Sequence, residues 1–163
     1  MRREERKSKD GLEEQVLLIR RVSKKTTGGN YINFSALVAV GDRKGRVGIG
    51  LGRGLEVPQA IKKAMNYARK HMINVPIFEG TLPHDVRVKY KAACIVLYPA
   101  PKGVGLKVGS VVRTILALAG VSNASGKILG SRNQIANSYA IMEALKGLKP
   151  RTRPSSQNKE EKI

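Results

Sequence analysis

The apolar positions of this chain follow two periods, every second residue in some stretches and every third or fourth in others. Residues 15–22, QVLLIRRV, are apolar and β-branched and predict a strand. The polar run 23–30, SKKTTGGN, follows as a flexible loop, with Gly28 and Gly29 as its turn signal. Over 31–40, Ile32, Phe34, Ala36, Val38 and Val40 alternate with Asn33, Ser35, Leu37 and Ala39. That period predicts a strand with one face well buried. GDRKG (41–45) makes a hairpin connection, and 46–51 return as the partner strand. On this third strand Val47, Ile49 and Leu51 take one face, while Gly48, Gly50 and Gly52 take the other. Bare glycine weakens a strand and is tolerable where another backbone must come close. That backbone is either a neighbouring element of the protein or a nucleic-acid strand. Arg46 and Arg53 bracket the strand and tilt the reading towards nucleic acid.

The period changes at 56–72. Val57, Ala60, Ile61, Ala64, Ala68 and Met72 form an apolar stripe at helical spacing, with Pro58 in the first turn. Lys62, Lys63, Arg69 and Lys70 fall on the opposite arc with no acid among them. Pro76, Gly80 and Pro83 mark 73–84 as a domain boundary. The second half then predicts strands at 86–90 and 93–98, a loop PAPKGVGLKVG, and a helix over Ser110–Ala119 with Ser110 as N-cap and Gly120 past its end. A short strand at 127–129 and a helix at 132–145 follow, the latter with Ser131 and Gln134 at capping-box spacing. The expected layout is an arm at 1–12, domains at 13–75 and 81–148, and a polar tail at 149–163.

Charge changes this picture from a small α+β protein to a nucleic-acid binder. The formal net charge is +19, and the only acids between residues 15 and 158 are Asp42, Glu56, Glu79, Asp85 and Glu143. A body that basic repels itself until a polyanion neutralises it. An anionic membrane is the rival partner, but no segment joins a basic face to a large Phe or Leu face. No apolar run approaches the ~20 residues a span needs. Cys94 is the single cysteine, so neither an internal disulfide nor a cysteine-built metal site is available.

The glycine-rich stretches fail as nucleotide sites. Gly120 lies one residue too far from Gly126–Lys127 for a phosphate loop, and Ile128 follows the lysine instead of Ser or Thr. GVGLKV lacks the third glycine of a dinucleotide fingerprint. His71 and His84 have no Cys partner at metal-ligand spacing, and the five body carboxylates are scattered. No catalytic role, cofactor, metal or small-molecule substrate is expected. The candidate RNA contacts are Arg20, Arg21, Lys24 and Lys25 for charge, and Gly28, Gly29 and Asn30 for close approach at the loop. To these are added Arg43, Lys44 and Arg46 at the hairpin, Gly50, Gly52 and Arg53 on the third strand, and Lys62 and Lys63 on the helix. Few aromatics look exposed, which favours recognition of folded or duplex RNA by shape over a stacking platform.

At this point the residues resemble one family. The segment 21–75 contains Gly-Asp-x-x-Gly-x-Val-Gly-x-Gly-x-Gly followed by Glu-Val-Pro-x-Ala-Ile-x-Lys-Ala, a highly specific run, and is similar to the N-terminal half of the bacterial-type small-subunit ribosomal protein S-five family. GTLPH, LYPAPKGVG, VVRTILALAGV and LGSRN extend the resemblance across residues 12–148. The resemblance implies an α+β fold, with a double-stranded-RNA-binding-like domain (three-stranded sheet plus helix) and a βαβ-type domain carrying two helices on a sheet. It also implies a structural role in a cytoplasmic ribosome, with an organellar one left open. Ribosomal RNA would be contacted, S-four and S-eight proteins would be neighbours, and subunit assembly and decoding accuracy would be affected. The loop 23–30 would lie near the site of spectinomycin action. The chain departs from the family pattern at Thr27 and Asn30, where relatives often carry a basic residue, and at Lys107, Val108 and Gly109. It departs again at Asn133, Gln134, Ile135 and Ala136, in place of Asn-Pro-x-Asn. A free-standing duplex-RNA-binding regulator or processing factor, and a basic RNA-remodelling enzyme, are the competing readings. The first needs an effector site and the second a phosphate loop, and neither is found.

Overall fold

The computed structural model describes residues 5–7 and 11–150. The first half is an antiparallel sheet in the order β1-β2-β3-β4-β5, built from Glu5–Lys7, Glu13–Thr26, Gly29–Gly41, Arg46–Gly54 and Ile73–Asn74. Strand β1 adds to β2 inside the stretch expected to be an aperiodic arm. Residues 1–4 and 8–10 of that arm, and the tail beyond 150, lie outside the described residues.

The expected loop at 23–30 is instead the end of a ribbon. Strands β2 and β3 stay paired out to Thr26↔Gly29, leaving a two-residue turn at Thr27 and Gly28. The Thr26 hydroxyl donates to the Gly29 carbonyl at 2.8 Å, and Gly29 takes φ +125°, which a side chain would resist. Both faces of the ribbon meet solvent, so no burial period betrays the strand.

At its base the same sheet is covered on both faces. The register sets Ala36, Val38 and Val40 beside Gly52, Gly50 and Gly48. Helix α1 (Val57–Lys70) lies over this face with Ala60, Ala64 and Ala68 fully buried. Glycine below and alanine above let helix and sheet approach at backbone distance. A Cβ at Gly50 would overlap the Ala64 carbonyl oxygen, and one at Gly52 would overlap the Ala60 carbonyl oxygen. Ala39, Val47 and Ile49, on the opposite face, join the larger core with Ile115 and Leu118.

The second half is a sheet in the order β6-β7-β9-β8 (Val86–Tyr90, Ala93–Pro99, Ala124–Gly130, Leu106–Lys107), with β8 parallel to β9 and the other pairs antiparallel. Helix α2 (Ser110–Ala119) connects β8 to β9, and α3 (Gln134–Lys146) closes the chain. Ile95, Leu97, Ile115, Leu116, Ile141 and Leu145 bury the helices on one face of this sheet. Helix α2 also touches β3 and β4, so one core runs through both halves. Within 73–84, Val75 and Leu82 are buried in that shared core.

Two expected caps move by one or two positions. Gly109, not Ser110, is the N-cap of α2, and its carbonyl accepts from the Arg113 N–H at 2.8 Å. Asn133 caps α3, its Oδ1 accepting from the Ile135 N–H, while the Ser131 hydroxyl accepts from the Asn133 N–H. Gly120 ends α2 at φ +97°.

The hairpin 41–46 keys into that helix end. The Arg43 N–H donates to the Leu118 carbonyl at 2.9 Å and the Gly45 N–H to the Ala119 carbonyl at 2.8 Å. These two bonds satisfy carbonyls that a helix C-terminus leaves open. A Cβ at Gly120 would overlap the Arg43 carbonyl oxygen, and one at Gly41 the Leu118 carbonyl oxygen.

Candidate RNA interface

The ribbon presents cations on both faces because neighbouring residues of a strand point opposite ways. By register, Arg21, Ser23 and Lys25 share the face of α1, with Phe34, Ile32 and Asn30 beside them. Arg20, Val22 and Lys24 take the other face, with Ser35, Asn33 and Tyr31 beside them. Ser35 in turn pairs with Arg53, so Arg20, Ser35 and Arg53 make one row across three strands. All four ribbon cations and Arg53 are exposed, as are Gly28, Gly29 and Asn30. On α1, Lys62 and Lys63 are exposed on the side away from the sheet.

Exposed apolar groups on the ribbon escaped the sequence reading. Tyr31 is 52% exposed, and Ile19, Val22 and Ile32 are also exposed. The available signal was the alternation of 31–40, which begins several residues before burial does. Ribbon tyrosine and aliphatic groups place apolar contact area beside the exposed cations.

Two candidates are removed from the site. Gly50 and Gly52 are buried beneath the backbone of α1, so no RNA strand reaches them. The closely approaching backbone is the protein's own helix. The bracketing arginines did not identify the partner, because Arg46 turns to Asp42 and Arg53 projects from the opposite face.

Two of the three hairpin cations, unlike those of the ribbon, have acid partners among the described residues. Arg43 Nε donates to Glu13 at 2.6 Å, and Arg46 Nε to Asp42 at 2.7 Å. Desolvation pushes the Asp42 carboxyl up. The guanidinium of Arg46, the backbone N–H groups of Lys44 and Arg46, and the Arg46 charge outweigh it and hold the carboxyl below its ordinary 3.8. Arg43, Lys44 and Arg46 remain exposed and within reach of phosphate, with two of the three charges shared. Arg69, counted on the basic arc of α1, reaches back to Glu14 at 2.7 Å, and Glu14 is 6% exposed. Its role is to neutralise a buried carboxylate. Among the described residues no three of His, Cys, Asp and Glu cluster at metal-binding distance. No helix of the described chain is long and apolar enough to cross a membrane.

Comparison with known proteins matches one family over both halves of the chain. The sequence model of the ribosomal protein S5 N-terminal domain matches residues 12–76, and that of the S5 C-terminal domain matches residues 88–155. The small ribosomal subunit protein uS5 of Thermus thermophilus is 51% identical over 137 residues, covering 84% of this chain and 85% of the relative. The uS5 proteins of two individual strains of that species match to the same extent. With both domain models matched in order along the chain, this protein belongs to the ribosomal protein S5 family.

Proposed function

We propose that this protein is a structural constituent of the small ribosomal subunit that binds ribosomal RNA. The observation that carries the reading is the 51% identity to uS5 across 137 residues, spanning both S5 domains. The ribbon supplies a mechanism: a narrow, two-faced lever whose exposed cations can engage phosphates on both sides. The division into units at 13–75 and 81–148 is part of the reading, supported by the gap between the two matched segments. So are neighbours of the S-four and S-eight families, a part in subunit assembly and decoding accuracy, and the placing of the ribbon tip near the site of spectinomycin action, all supported by the motif resemblance.

In a fractionated lysate the chain should travel with the small subunit and leave it at high salt; a chain found only in the free-protein fractions would refute the reading. With isolated ribosomal RNA, about 6–10 phosphate contacts would lower affinity by roughly 10³–10⁵ between 50 and 200 mM salt. Replacing Lys24 and Lys25 by alanine should weaken that binding while stability moves by no more than ~0.5 kcal/mol, because both are exposed. Unfolding of the pair variant would mean that the ribbon's charges serve the fold instead.

A further inference from the structure

The outer face of the second sheet has no role in this reading so far. Helices α2 and α3 cover one face, where Val86, Val88, Ile95, Leu97 and Ile128 point into the core. Alternation along the strands turns the intervening residues outward, and no other described element covers them.

The register arranges these outward residues in three rows. Arg87 lies opposite Val96, which lies opposite Lys127. Lys89 lies opposite Cys94, which lies opposite Leu129. Tyr98 lies opposite Ser125, which lies opposite Lys107. Four cations thus rim a centre of Cys94, Val96, Tyr98 and Leu129, and no acid belongs to any row. Arg87, Lys89, Lys107 and Lys127 are all exposed, and none has an ion-pair partner among the described residues, unlike Arg43, Arg46 and Arg69. Tyr98 is 52% exposed and Leu129 is 43% exposed.

From these rows we infer that this face binds an unpaired segment of RNA, one base stacking on Tyr98 and the flanking phosphates taken by Arg87, Lys89, Lys107 and Lys127. The inference rests on the RNA-binding reading above and assigns it a second, chemically distinct surface. Charge complementarity selects a polyanion, since four like charges spread over one face repel until one is bound. The aromatic ring selects unpaired nucleotides. In a duplex the bases stack on each other, whereas an unpaired base offers its face to a side chain. An acidic protein surface would meet the cations but has no unpaired base to stack on the ring.

The test compares the full chain with three variants of this face and with the Lys24, Lys25 variant, using a short labelled oligouridylate and a duplex RNA as probes, with circular dichroism as the fold check. Tyr98→Ala should weaken oligouridylate binding by about 5- to 100-fold, and Tyr98→Phe, which keeps the ring, should restore most of it. Combining Arg87→Gln, Lys89→Gln, Lys107→Gln and Lys127→Gln should flatten the salt dependence of that binding by a slope of roughly 3. Should this multiple variant misfold, the Tyr98 pair decides alone. Duplex binding should persist in all of them and fall in the Lys24, Lys25 variant. Oligouridylate binding unchanged in Tyr98→Ala, with duplex binding intact, overturns this inference and leaves the RNA-binding reading standing. Wild-type protein that binds neither probe salt-dependently overturns both. Variants that bind both RNAs normally but fail to enter reconstituted subunits would assign the face to a protein partner and overturn the inference.

Discussion

The two sheets of this molecule solve the same problem in opposite ways. The base of the first is covered on both faces, by α1 and by the core around α2, and it admits α1 only by giving up side chains at Gly48, Gly50 and Gly52. The second is covered on one face, keeps full-sized Ile95 and Leu97 beneath its helices, and alternates them with outward Val96 and Tyr98. Glycine in a strand therefore marks a close approach, and alternation marks an open face. In the first half, the sheet itself opens both faces to a partner where β2 and β3 outrun their cover and become the ribbon.

The contrast between sheets is most vulnerable at Gly50. Gly50→Val should cost about 3 kcal/mol or more, or prevent folding, because the added atoms overlap the Ala64 backbone and a helix cannot yield locally. At Gly28, where a Cβ meets nothing within 4 Å and φ is not positive, Gly28→Ala should shift stability by less than ~0.5 kcal/mol. Urea denaturation of both variants checks the contrast, and equal midpoints would show that α1 does not seal the glycine face.

Adjacent residues of β7 separate the two faces of the other sheet. Leu97→Ala should cost about 2–4 kcal/mol by opening a cavity under α2 and α3, and Val96→Ala, on the outer face, less than ~1 kcal/mol. Thermal melts that rank them the other way would invert the assignment of faces.

A smaller effect than that of Gly50→Val or Leu97→Ala lies where the halves meet. Asp42 has a folded pKa below its unfolded value of 3.8, so its contribution is complete above that pH and is lost as pH falls through the lower folded value. Asp42→Asn should cost about 1 kcal/mol at neutral pH, with the gap to wild type closing in acid. A gap that is constant down to the acid transition would mean that the carboxylate charge is not what holds the turn.

Much of this was legible from residues. Helix α2 stands where its apolar run and Gly120 place it, since a packed helix with a left-handed glycine stop leaves both signals in sequence. Strands β6 and β7 were legible for the same reason, each having one buried face. Strand β8 was not: Leu106–Lys107 are strand only because β9 lies alongside, and two residues carry no period. The outer half of the ribbon was missed because period is a record of burial, and the ribbon has little. Of the candidate site, cations were recognisable by type and placement, and all the named ones are exposed. Gly50 and Gly52 were misassigned because a strand's glycines announce a neighbour without naming it.

The joint between hairpin and α2 has a consequence for avidity. It is made of main-chain donors and acceptors, Arg43 to Leu118 and Gly45 to Ala119, with Gly41 and Gly120 leaving no space for a spacer group. The ribbon and the second sheet are thus splayed from a fixed pivot and not joined by a tether. A ligand long enough to touch both meets the second at an effective concentration set by geometry, with little linker entropy left to lose. A bulky residue at Gly120 would strain the left-handed helix stop, push against the Arg43 carbonyl and lower the affinity of any ligand that spans both surfaces.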